Sequence, residues 1–156
     1  MSTGGIPLIY LGDEVGQLND YSYLNDPSKM DDSRWVNRPP YPEQRYKERD
    51  DISTQAGQLY AGFKHMVKLR KSTEELAGGR AIGFFTANPA VLGYQRPGPN
   101  GNVLCLVNFS DYSQWVGRDR FLALPGTVKD LVSGDDIELH SSGIHLKPHQ
   151  YLWLKY

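Results

Sequence analysis

The feature that most restricts the fold of this chain is an unbroken apolar run, Ile6-Pro7-Leu8-Ile9-Tyr10-Leu11, which lies between Gly5 and Gly12. A short apolar run bounded by glycines is typical of a strand that is buried on both faces of a parallel sheet. Such a strand needs a neighbour on each side. The rest of the chain must supply those neighbours, or the sheet must be completed by residues outside it.

The next segment, from Asp13 to Asp51, is nearly 40 residues long and shows almost no helical or strand periodicity. A connection of that length is normally functional or disordered, and its aromatic residues argue against disorder. Apolar residues at helical spacing then predict one amphipathic helix over 53–72, with Ser53 or Thr54 as candidate N-cap. Strand, loop and helix form a single βα unit. Because one strand cannot make a parallel sheet, the remainder of that layer is expected outside this chain.

After Gly78-Gly79 the sequence becomes a series of short β-type runs separated by turn residues, as in an all-β sandwich. The clearest hairpin turn is Gly98-Pro99-Asn100-Gly101, since Asn-Gly tolerates the positive φ angles of tight hairpins. The predicted strands are 81–86, 91–96, 102–109, 119–124, 127–132, 136–140 and 150–155.

Composition narrows the function classes. With 17 basic and 18 acidic residues the formal charge is −1, and no run of like charge indicates nucleic acid or an anionic membrane as a partner. The single cysteine, Cys105, lies in an apolar run and is interpreted as a buried, inert thiol in a reducing compartment. No basic leader and no apolar stretch of about 20 residues is present, so a soluble, cytoplasmic protein is expected.

Several motifs resemble one enzyme family. Gly5-Ile6-Pro7-Leu8-Ile9-Tyr10-Leu11-Gly12-Asp13-Glu14 resembles the eighth barrel strand and following turn of α-amylase superfamily enzymes. Asp31-Asp32-Ser33-Arg34-Trp35, followed by Arg38-Pro39, resembles the corresponding loop of amylosucrases and of the related sucrose hydrolases. The stretches 102–110 and 146–154 are similar to strands of the domain that follows the barrel. The resemblance covers essentially the whole chain.

The resemblance implies a mixed α and β fold. Residues 1–77 would be the last βα unit of a (β/α)8 barrel, with its eighth strand, active-site loop and eighth helix, and residues 78–156 an antiparallel β-sandwich C-terminal domain. Met1 precedes sequence that looks internal to the family, which is compatible with a shortened gene product, a proteolytic remnant or a designed fragment. The expected partners are the missing barrel portion and a second copy of the chain, through the apolar run 6–11 and the apolar face of the helix.

The implied activity is transfer of a glucosyl unit from sucrose to the 4-hydroxyl of an α-glucan with retention of configuration. Such chemistry uses two carboxyl groups about 5 to 5.5 Å apart, a nucleophile and an acid that later acts as base. In the family both groups, and a third carboxylate that holds the substrate, lie on earlier barrel strands. No catalytic residue is therefore expected in this chain, which alone should be inactive.

The candidate substrate-binding residues are Arg34, Asp13 and Glu14. In amylosucrases the arginine that matches Arg34 pairs with a barrel aspartate and closes the floor of the pocket for the glucosyl ring, a role that suits a planar guanidinium. Without that aspartate, Arg34 should be unpaired or paired differently; a surface salt bridge that stiffens the loop is the alternative. Asp13 and Glu14 follow a barrel-type strand at its carboxyl end, where barrel enzymes bind substrate; otherwise they fix the turn. Asp31 and Asp32 are interpreted as loop caps.

Other kinds of site are less favoured by the sequence. His140, His145 and His149 are unevenly spaced and lack supporting ligands, so no metal is expected, and no motif indicates a nucleotide or redox cofactor. Two alternatives to the glucosyltransferase stay open. One is a sucrose hydrolase with the same pocket, and the other is a stand-alone carbohydrate-binding or interaction module built on the sandwich. Its candidate sugar-stacking residues, which are more simply core residues, are Tyr94, Trp115, Tyr151 and Trp153.

Overall fold

The computed structural model describes residues 1–156 and divides them into two compact units. One unit, here the loop unit, is Leu8–His65; the other, the sheet unit, combines Met1–Pro7 with Met66–Tyr156. The predicted domain boundary at 77/78 stays a prediction. No helix of the chain combines the length and the apolar composition that a membrane span requires.

The apolar run Ile6–Leu11 does not form the predicted strand. Ile6 is 97% exposed and Leu8 is 90% exposed, and the run enters neither of the two sheets. The physical reason is the one that the sequence raised: a parallel strand needs hydrogen-bonding neighbours, and this chain contains no second barrel strand to provide them. The barrel unit is therefore not formed in this structure.

Aspartate side chains form short turns in the segment 13–51, for which the sequence predicted no regular structure. Four carboxylates, those of Asp20, Asp26, Asp32 and Asp51, each accept a hydrogen bond from the backbone N–H two residues further on. This Asx-turn geometry fixes a chain reversal without any regular ladder. Between these turns lie the 3₁₀ segments Asp13–Val15, Ser22–Asn25 and Ser33–Asn37 and one short helix, α1, Glu43–Glu48.

The predicted helix is present as α2, Gln55–Ser72, and is followed by the short α3, Glu74–Ala77. Thr54 caps α2, because its hydroxyl accepts a hydrogen bond of 3.0 Å from the Gly57 N–H, so the choice of Thr54 as candidate cap is confirmed. A Cβ at Gly57 would overlap the carbonyl oxygen of Asp51. The close approach of the loop to the first turn of α2 thus requires glycine there.

Eight strands form two antiparallel sheets in the sheet unit. A six-stranded sheet has the order β1-β2-β3-β8-β5-β6, and a two-stranded sheet pairs β4 with β7. The bounds are β1 Ile82–Phe84, β2 Val91–Gly98, β3 Gly101–Asn108, β4 Gln114–Gly117, β5 Thr127–Asp130, β6 Asp136–Glu138, β7 Gly143–Leu146 and β8 Tyr151–Lys155. The predicted hairpin is confirmed, since Gly98 pairs with Gly101 across the turn.

The central strands of the six-stranded sheet are buried on both faces. Along β3 and β8, alternate residues enter two different apolar cores. One core lies between the two sheets and contains Leu104, Leu106, Val116, Ile144, Leu146, Leu152 and Leu154. The other lies on the opposite face, against Leu76 of α3 and the end of α2, and contains Tyr94, Val103, Cys105 and Trp153.

The N-terminal residues of the chain are fastened to this second core. The Ser2 hydroxyl lies 2.6 Å from the Tyr94 hydroxyl, and the buried Arg96 guanidinium donates to the Ser2 carbonyl at 2.6 Å. Arg96 also donates to the carbonyls of Leu76 and Gly78. Backbone carbonyls thus take the place of a carboxylate around the two Nη atoms of this fully buried cation, whereas its Nε has no hydrogen-bond partner.

The sequence misplaced one strand and missed two. Residues 119–124 were expected to be a strand but instead form the 3₁₀ segment Arg118–Arg120 and a turn. The Arg118 side chain donates to the carbonyls of Phe121 and Leu124 and holds this turn closed. The strands β4 and β7 were not expected, because each is short and their glycines, Gly117 and Gly143, read as turn residues.

Candidate functional site

Glu14 lies in the 3₁₀ turn that follows the apolar run, and hydrogen bonds fix its carboxylate. The Gly12 N–H donates to Oε2 at 2.9 Å, and the Tyr46 hydroxyl donates to Oε1 at 2.6 Å. Gly12 adopts φ 103, a left-handed conformation that favours glycine. Both carboxylate oxygens are therefore used within the loop unit, which corresponds to the turn-fixing interpretation of Glu14.

The electrostatics of this pair follow from the hydrogen bond. Burial raises the pKa of Glu14, but hydrogen bonds from the Tyr46 hydroxyl and from backbone N–H groups outweigh it, so the pKa lies below its ordinary value. Burial and the adjacent carboxylate raise the pKa of Tyr46 to about 12. Glu14 therefore stays an anion and Tyr46 stays a neutral donor across the physiological pH range. Neither is prepared for proton transfer near neutral pH.

Asp13 differs from its neighbour. Its side chain is exposed and has no hydrogen-bond partner in the chain, while its backbone N–H donates to the Tyr10 carbonyl at 3.0 Å. Val15, two residues after Asp13, is completely buried, and its carbonyl accepts a hydrogen bond of 3.1 Å from Arg45. The turn thus anchors itself through Glu14 and Val15 and leaves the Asp13 carboxylate open to solvent.

Arg34 forms a two-point contact with Asp32. Its Nε donates to Oδ1 at 2.7 Å and its Nη2 donates to Oδ2 at 2.8 Å, while its backbone N–H donates to Oδ1 at 3.0 Å. Hydrogen bonds from Arg34 lower the pKa of Asp32 to about 2, and Asp32 raises the pKa of Arg34. Asp32 also begins the 3₁₀ segment Ser33–Asn37 as its cap, as expected for this residue. Arg34 is thus paired differently, within its own loop.

The Asp32 contact leaves part of the Arg34 guanidinium free. A guanidinium has five N–H donors, and the contact with Asp32 uses only the edge formed by Nε and Nη2. The side chain is 75% exposed, so the Nη1 end points to solvent with its donors unused. Asp32 therefore holds the orientation of Arg34 while a second acceptor can still bind at the outer end. No hydrogen bond or ion pair joins Arg34 to Asp13 or Glu14.

A cleft in the same loop was not predicted as a site. It has a volume of about 290 Å³ and is lined by Asp20, Ser22, Tyr23, Asp26, Lys29, Trp35, Arg38 and Pro40. The sequence contained one signal, the position of Trp35 and Arg38 in the motif that carries Arg34. Their convergence with residues 20–29 depends on the folded loop, which no periodicity reveals.

The aromatic residues proposed as a sugar-stacking face separate into two groups. Tyr94 and Trp153 are buried core residues, whereas Trp115 is 41% exposed and Tyr151 is 40% exposed. The three candidate histidines do not converge: His149 bonds to Asp111 at 2.8 Å, and His145 lies beside the Trp115 ring. No group of three or more metal-ligating side chains is present. Cys105 is fully buried, and burial raises the pKa of its thiol to about 11.

Comparison with known proteins identifies the class of the sheet unit. Residues 83–155 match the sequence family described as the amylosucrase C-terminal domain. The glucosylglycerate phosphorylase of Escherichia coli (strain K12) is 27% identical over 156 residues, which cover 99% of this chain and 26% of that enzyme. The chain thus spans about a quarter of the length of this curated relative.

Solved structures show the same fold. AmyP in complex with maltose aligns with a TM-score of 0.56 and 18% identity, over 65% of this chain and 21% of AmyP. An AmyP mutant bound to maltotriose aligns with a TM-score of 0.57 and 17% identity, over 94% of this chain and 30% of the other. A MutB mutant in complex with glucose aligns with a TM-score of 0.52 and 21% identity, over 75% of this chain and 20% of MutB.

These similarities confirm the resemblance that the motifs indicated. The alignments with AmyP and MutB show a shared fold. In sequence, residues 83–155 are similar to the C-terminal domain of amylosucrases.

Proposed function

We propose that this chain is the C-terminal part of an amylosucrase-like enzyme that transfers glucosyl units from sucrose to an α-1,4-glucan. The observation that carries the proposal is the match of residues 83–155 to the amylosucrase C-terminal domain, in the same chain as the loop motif around Arg34. The sugars bound by the structural neighbours, maltose, maltotriose and glucose, are compatible with a glucoside as substrate.

In this proposal Arg34 contacts the donor side of the site. The free Nη1 end of its guanidinium pairs with a carboxylate of the missing barrel strands and closes the floor of the glucosyl pocket. Asp32 acts as the residue that positions Arg34, through its two hydrogen bonds of 2.7 and 2.8 Å. Asp13, whose carboxylate is free, is the better candidate of the acidic pair for ligand contact. Glu14 fixes the turn that carries it.

The nucleophile and the acid of a retaining glucosyl transfer would come from outside this chain. A guanidinium that positions substrate cannot break a glycosidic bond without them. We therefore expect purified chain mixed with sucrose to release neither glucose nor fructose above background, as measured by an enzymatic assay of both sugars. Sucrose-dependent release of fructose by pure material would overturn the assignment of the chain as a non-catalytic part.

A second candidate activity is phosphorolysis of a glucoside. It is favoured by the similarity to the E. coli glucosylglycerate phosphorylase, which extends over 99% of this chain. The donor half-reaction is the same in both cases: a carboxylate displaces the leaving alcohol and forms a glucosyl enzyme. The acceptor differs, because phosphate oxygen attacks the glucosyl carbon and yields glucose 1-phosphate with the carboxylate as leaving group.

One experiment separates the candidates. The longer enzyme, which contains this chain as its C-terminal part, is incubated with sucrose, a maltooligosaccharide primer and inorganic phosphate. The products are quantified by chromatography. One fructose released for each glucosyl unit added to polymer supports the proposed transferase, free glucose indicates a hydrolase, and glucose 1-phosphate indicates a phosphorylase. If sucrose is not consumed but another glucoside is, the proposed donor is wrong.

A further inference from the structure

The cleft of the loop unit that the glucosyl-transfer proposal does not use is a candidate binding site. Its volume of about 290 Å³ is at the lower limit of small-molecule pockets, about 300 Å³, which suits a ligand of one small ring. Two stretches of the loop form its walls, residues 20–29 and 35–40. The whole cleft lies within Leu8–His65.

Backbone hydrogen bonds hold the two walls in place. The Asp20 N–H donates to the Val36 carbonyl at 3.0 Å and joins the first wall to the second. On the first wall, the Ser22 N–H donates to Asp20 Oδ1 at 2.8 Å and the Ser28 N–H donates to Asp26 Oδ1 at 2.9 Å. The cleft is therefore formed before any ligand binds, which reduces the entropy cost of binding.

Trp35 contributes an aromatic surface to the cleft, and two cations lie over its ring. The Lys29 ammonium is 5.1 Å and the Arg38 guanidinium carbon is 5.5 Å from the ring centroid. These contacts fix the orientation of the indole, because cations bind the negative face of the ring. The indole is half-buried, so part of its surface remains available to a ligand.

The two cations differ in what else they contact. Lys29 forms an ion pair with Asp26, with Nζ 2.9 Å from Oδ2. Arg38 forms no ion pair and its side chain makes no hydrogen bond, so all of its N–H donors are available. On the acceptor side, Asp20 Oδ1 accepts the Ser22 N–H at 2.8 Å, and hydrogen bonds from the Ser22 side chain and backbone, with the nearby Lys29 charge, lower the pKa of this carboxyl. The cleft thus presents an unused donor group and a carboxylate with spare acceptor capacity beside an aromatic surface.

The charges of the cleft decide the class of ligand. Two carboxylates, Asp20 and Asp26, balance two cations, Lys29 and Arg38, so no net field favours an anion or a cation. A neutral ligand with many hydroxyl groups can donate to Asp20, accept from Arg38 and place its C–H face on Trp35. A pyranose ring has these properties.

We propose that this cleft binds one pyranose unit of an α-glucan, stacked on Trp35 and hydrogen-bonded by Arg38 and Asp20. The inference rests on the proposed function, since it assigns this site to the glucan acceptor and not to the sucrose donor. Arg38 is a ligand-binding residue in this assignment, whereas Asp26 positions Lys29 beside the indole.

The test is a titration of the 156-residue chain with maltose, followed by tryptophan fluorescence and by amide chemical shifts. The chain has two other tryptophans, the buried Trp153 and the exposed Trp115, so Trp115→Phe serves as the matched control. We expect saturable binding in the chain and in Trp115→Phe. Trp35→Ala and Arg38→Gln should each weaken binding at least about tenfold, because each removes a principal contact. Arg38→Lys should weaken it less.

Each outcome decides the inference. Far-UV circular dichroism and amide spectra that match the wild-type chain establish that the variants are folded. Unchanged affinity for maltose in folded Trp35→Ala and Arg38→Gln would overturn the proposal, as would binding of inorganic phosphate alone or no saturation at tens of millimolar maltose. Fructose release by the longer enzyme is measured separately and tests only the proposed function. If the longer enzyme is active with sucrose but the chain does not bind maltose, the proposed acceptor site is wrong and the proposed transferase function stands.

Discussion

Different interactions stabilise the two units of this chain. In the sheet unit, the central strands are buried on both faces, and Trp153, Leu154 and Leu106 are at most 1% exposed. In the loop unit, Val15, Ala56 and the two glycines Gly12 and Gly57 are the only buried residues, and hydrogen bonds between residues close in sequence fix the turns. The difference indicates that the sheet unit has an extensive apolar core, whereas local hydrogen bonds define most of the loop unit.

The physical consequence concerns where the free energy of folding comes from. Burial of apolar surface contributes about 25 cal/mol per Å², so the double-faced sheet provides most of the stabilisation. Exposed hydrogen-bonded turns and ion pairs contribute at most about 1 kcal/mol each. Substitutions in the sheet unit should therefore cost more stability than substitutions in the loop unit.

The largest effect is expected in the second core of the sheet unit. Trp153→Ala removes a side chain that is 1% exposed and should lower the free energy of unfolding by about 3 to 5 kcal/mol. The control is Leu11→Ala in the loop unit, where the side chain is 68% exposed and the change should be within about 0.5 kcal/mol. Urea unfolding followed by circular dichroism measures both. Equal losses of unfolding free energy in the two variants would mean that apolar packing in the loop unit stabilises the chain as much as the core of the sheet unit does.

The next effect concerns the function of the loop unit. In the longer enzyme, Arg34→Ala should lower kcat/KM for sucrose at least about a hundredfold, since about 1.4 kcal/mol corresponds to tenfold and a stranded buried carboxylate costs more than that. Arg34→Lys should restore little, because an ammonium cannot bridge two carboxylate oxygens in one plane. Steady-state kinetics beside a thermal melt provide the measurement. A folded Arg34→Ala enzyme with near-normal kcat/KM would reduce Arg34 to a surface ion pair.

A smaller change in stability is expected when Glu75 is substituted. This charged residue lies inside the sheet unit and is 1% exposed. The Lys155 ammonium lies 3.0 Å from its Oε1 and donates to Oε2 at 3.3 Å. Burial raises the pKa of Glu75, but a backbone hydrogen bond and Lys155 outweigh it, and the pKa falls below its ordinary value of 4.5. The folded state thus favours the carboxylate. Its stabilisation is complete above about pH 4.5 and is lost as the pH falls through the lowered pKa.

Glu75→Gln should therefore destabilise the chain by about 1 kcal/mol at pH 7, a value reduced because the Lys155 side chain is 39% exposed. The difference from wild type should shrink as the pH falls below 4.5. Glu74→Gln is the matched control, since Glu74 is exposed and bonds only to Asn100 at 2.8 Å. Urea midpoints from pH 3 to 7 test this, and a difference that stays constant with pH would exclude the carboxylate as its source.

The smallest effect on stability, with a visible effect on association, is expected in the exposed apolar run. Ile6 is 97% exposed and Leu8 is 90% exposed, and exposed apolar surfaces of this kind promote self-association. We expect the chain to form dimers or larger species by light scattering. Ile6→Lys and Leu8→Lys should reduce the measured mass, while Leu18→Lys, at 73% exposure outside the run, should not. A strict monomer before any substitution would contradict the expectation.

The sequence predicted the architecture of the sheet unit better than its details. Short β-type runs between turn residues identified β3 and β8, and the Asn-Gly turn identified the β2–β3 hairpin, because these features depend on neighbours in sequence. The strand expected over 119–124 failed, because the Arg118 side chain closes a turn there by bonding carbonyls three and six residues away. The pairing of Gly117 with Gly143 likewise has no local signal.

The sequence named candidate site residues but could not supply their geometry. The motif drew attention to Arg34, but the two-point contact with Asp32 follows from the turn that Asp32 caps. Glu14 and Tyr46 are 32 residues apart in sequence, and only the folded loop brings them to 2.6 Å. The roles of Arg34, Asp13 and Glu14 in substrate binding, the cytoplasmic location and the oligomer stay predictions.

The sequence by itself determined the resemblance to amylosucrases, the helix over most of 53–72 and the β-rich second half, because motifs, periodicity and turn residues are local properties. Only the tertiary structure decided that the run Ile6–Leu11 stays outside both sheets and that Trp35, Arg38 and Asp20 share one cleft. The physical reason is the same in both cases. A strand exists only where partners complete its hydrogen bonds, and a cleft exists only where distant segments meet, so both depend on which other residues are present in space.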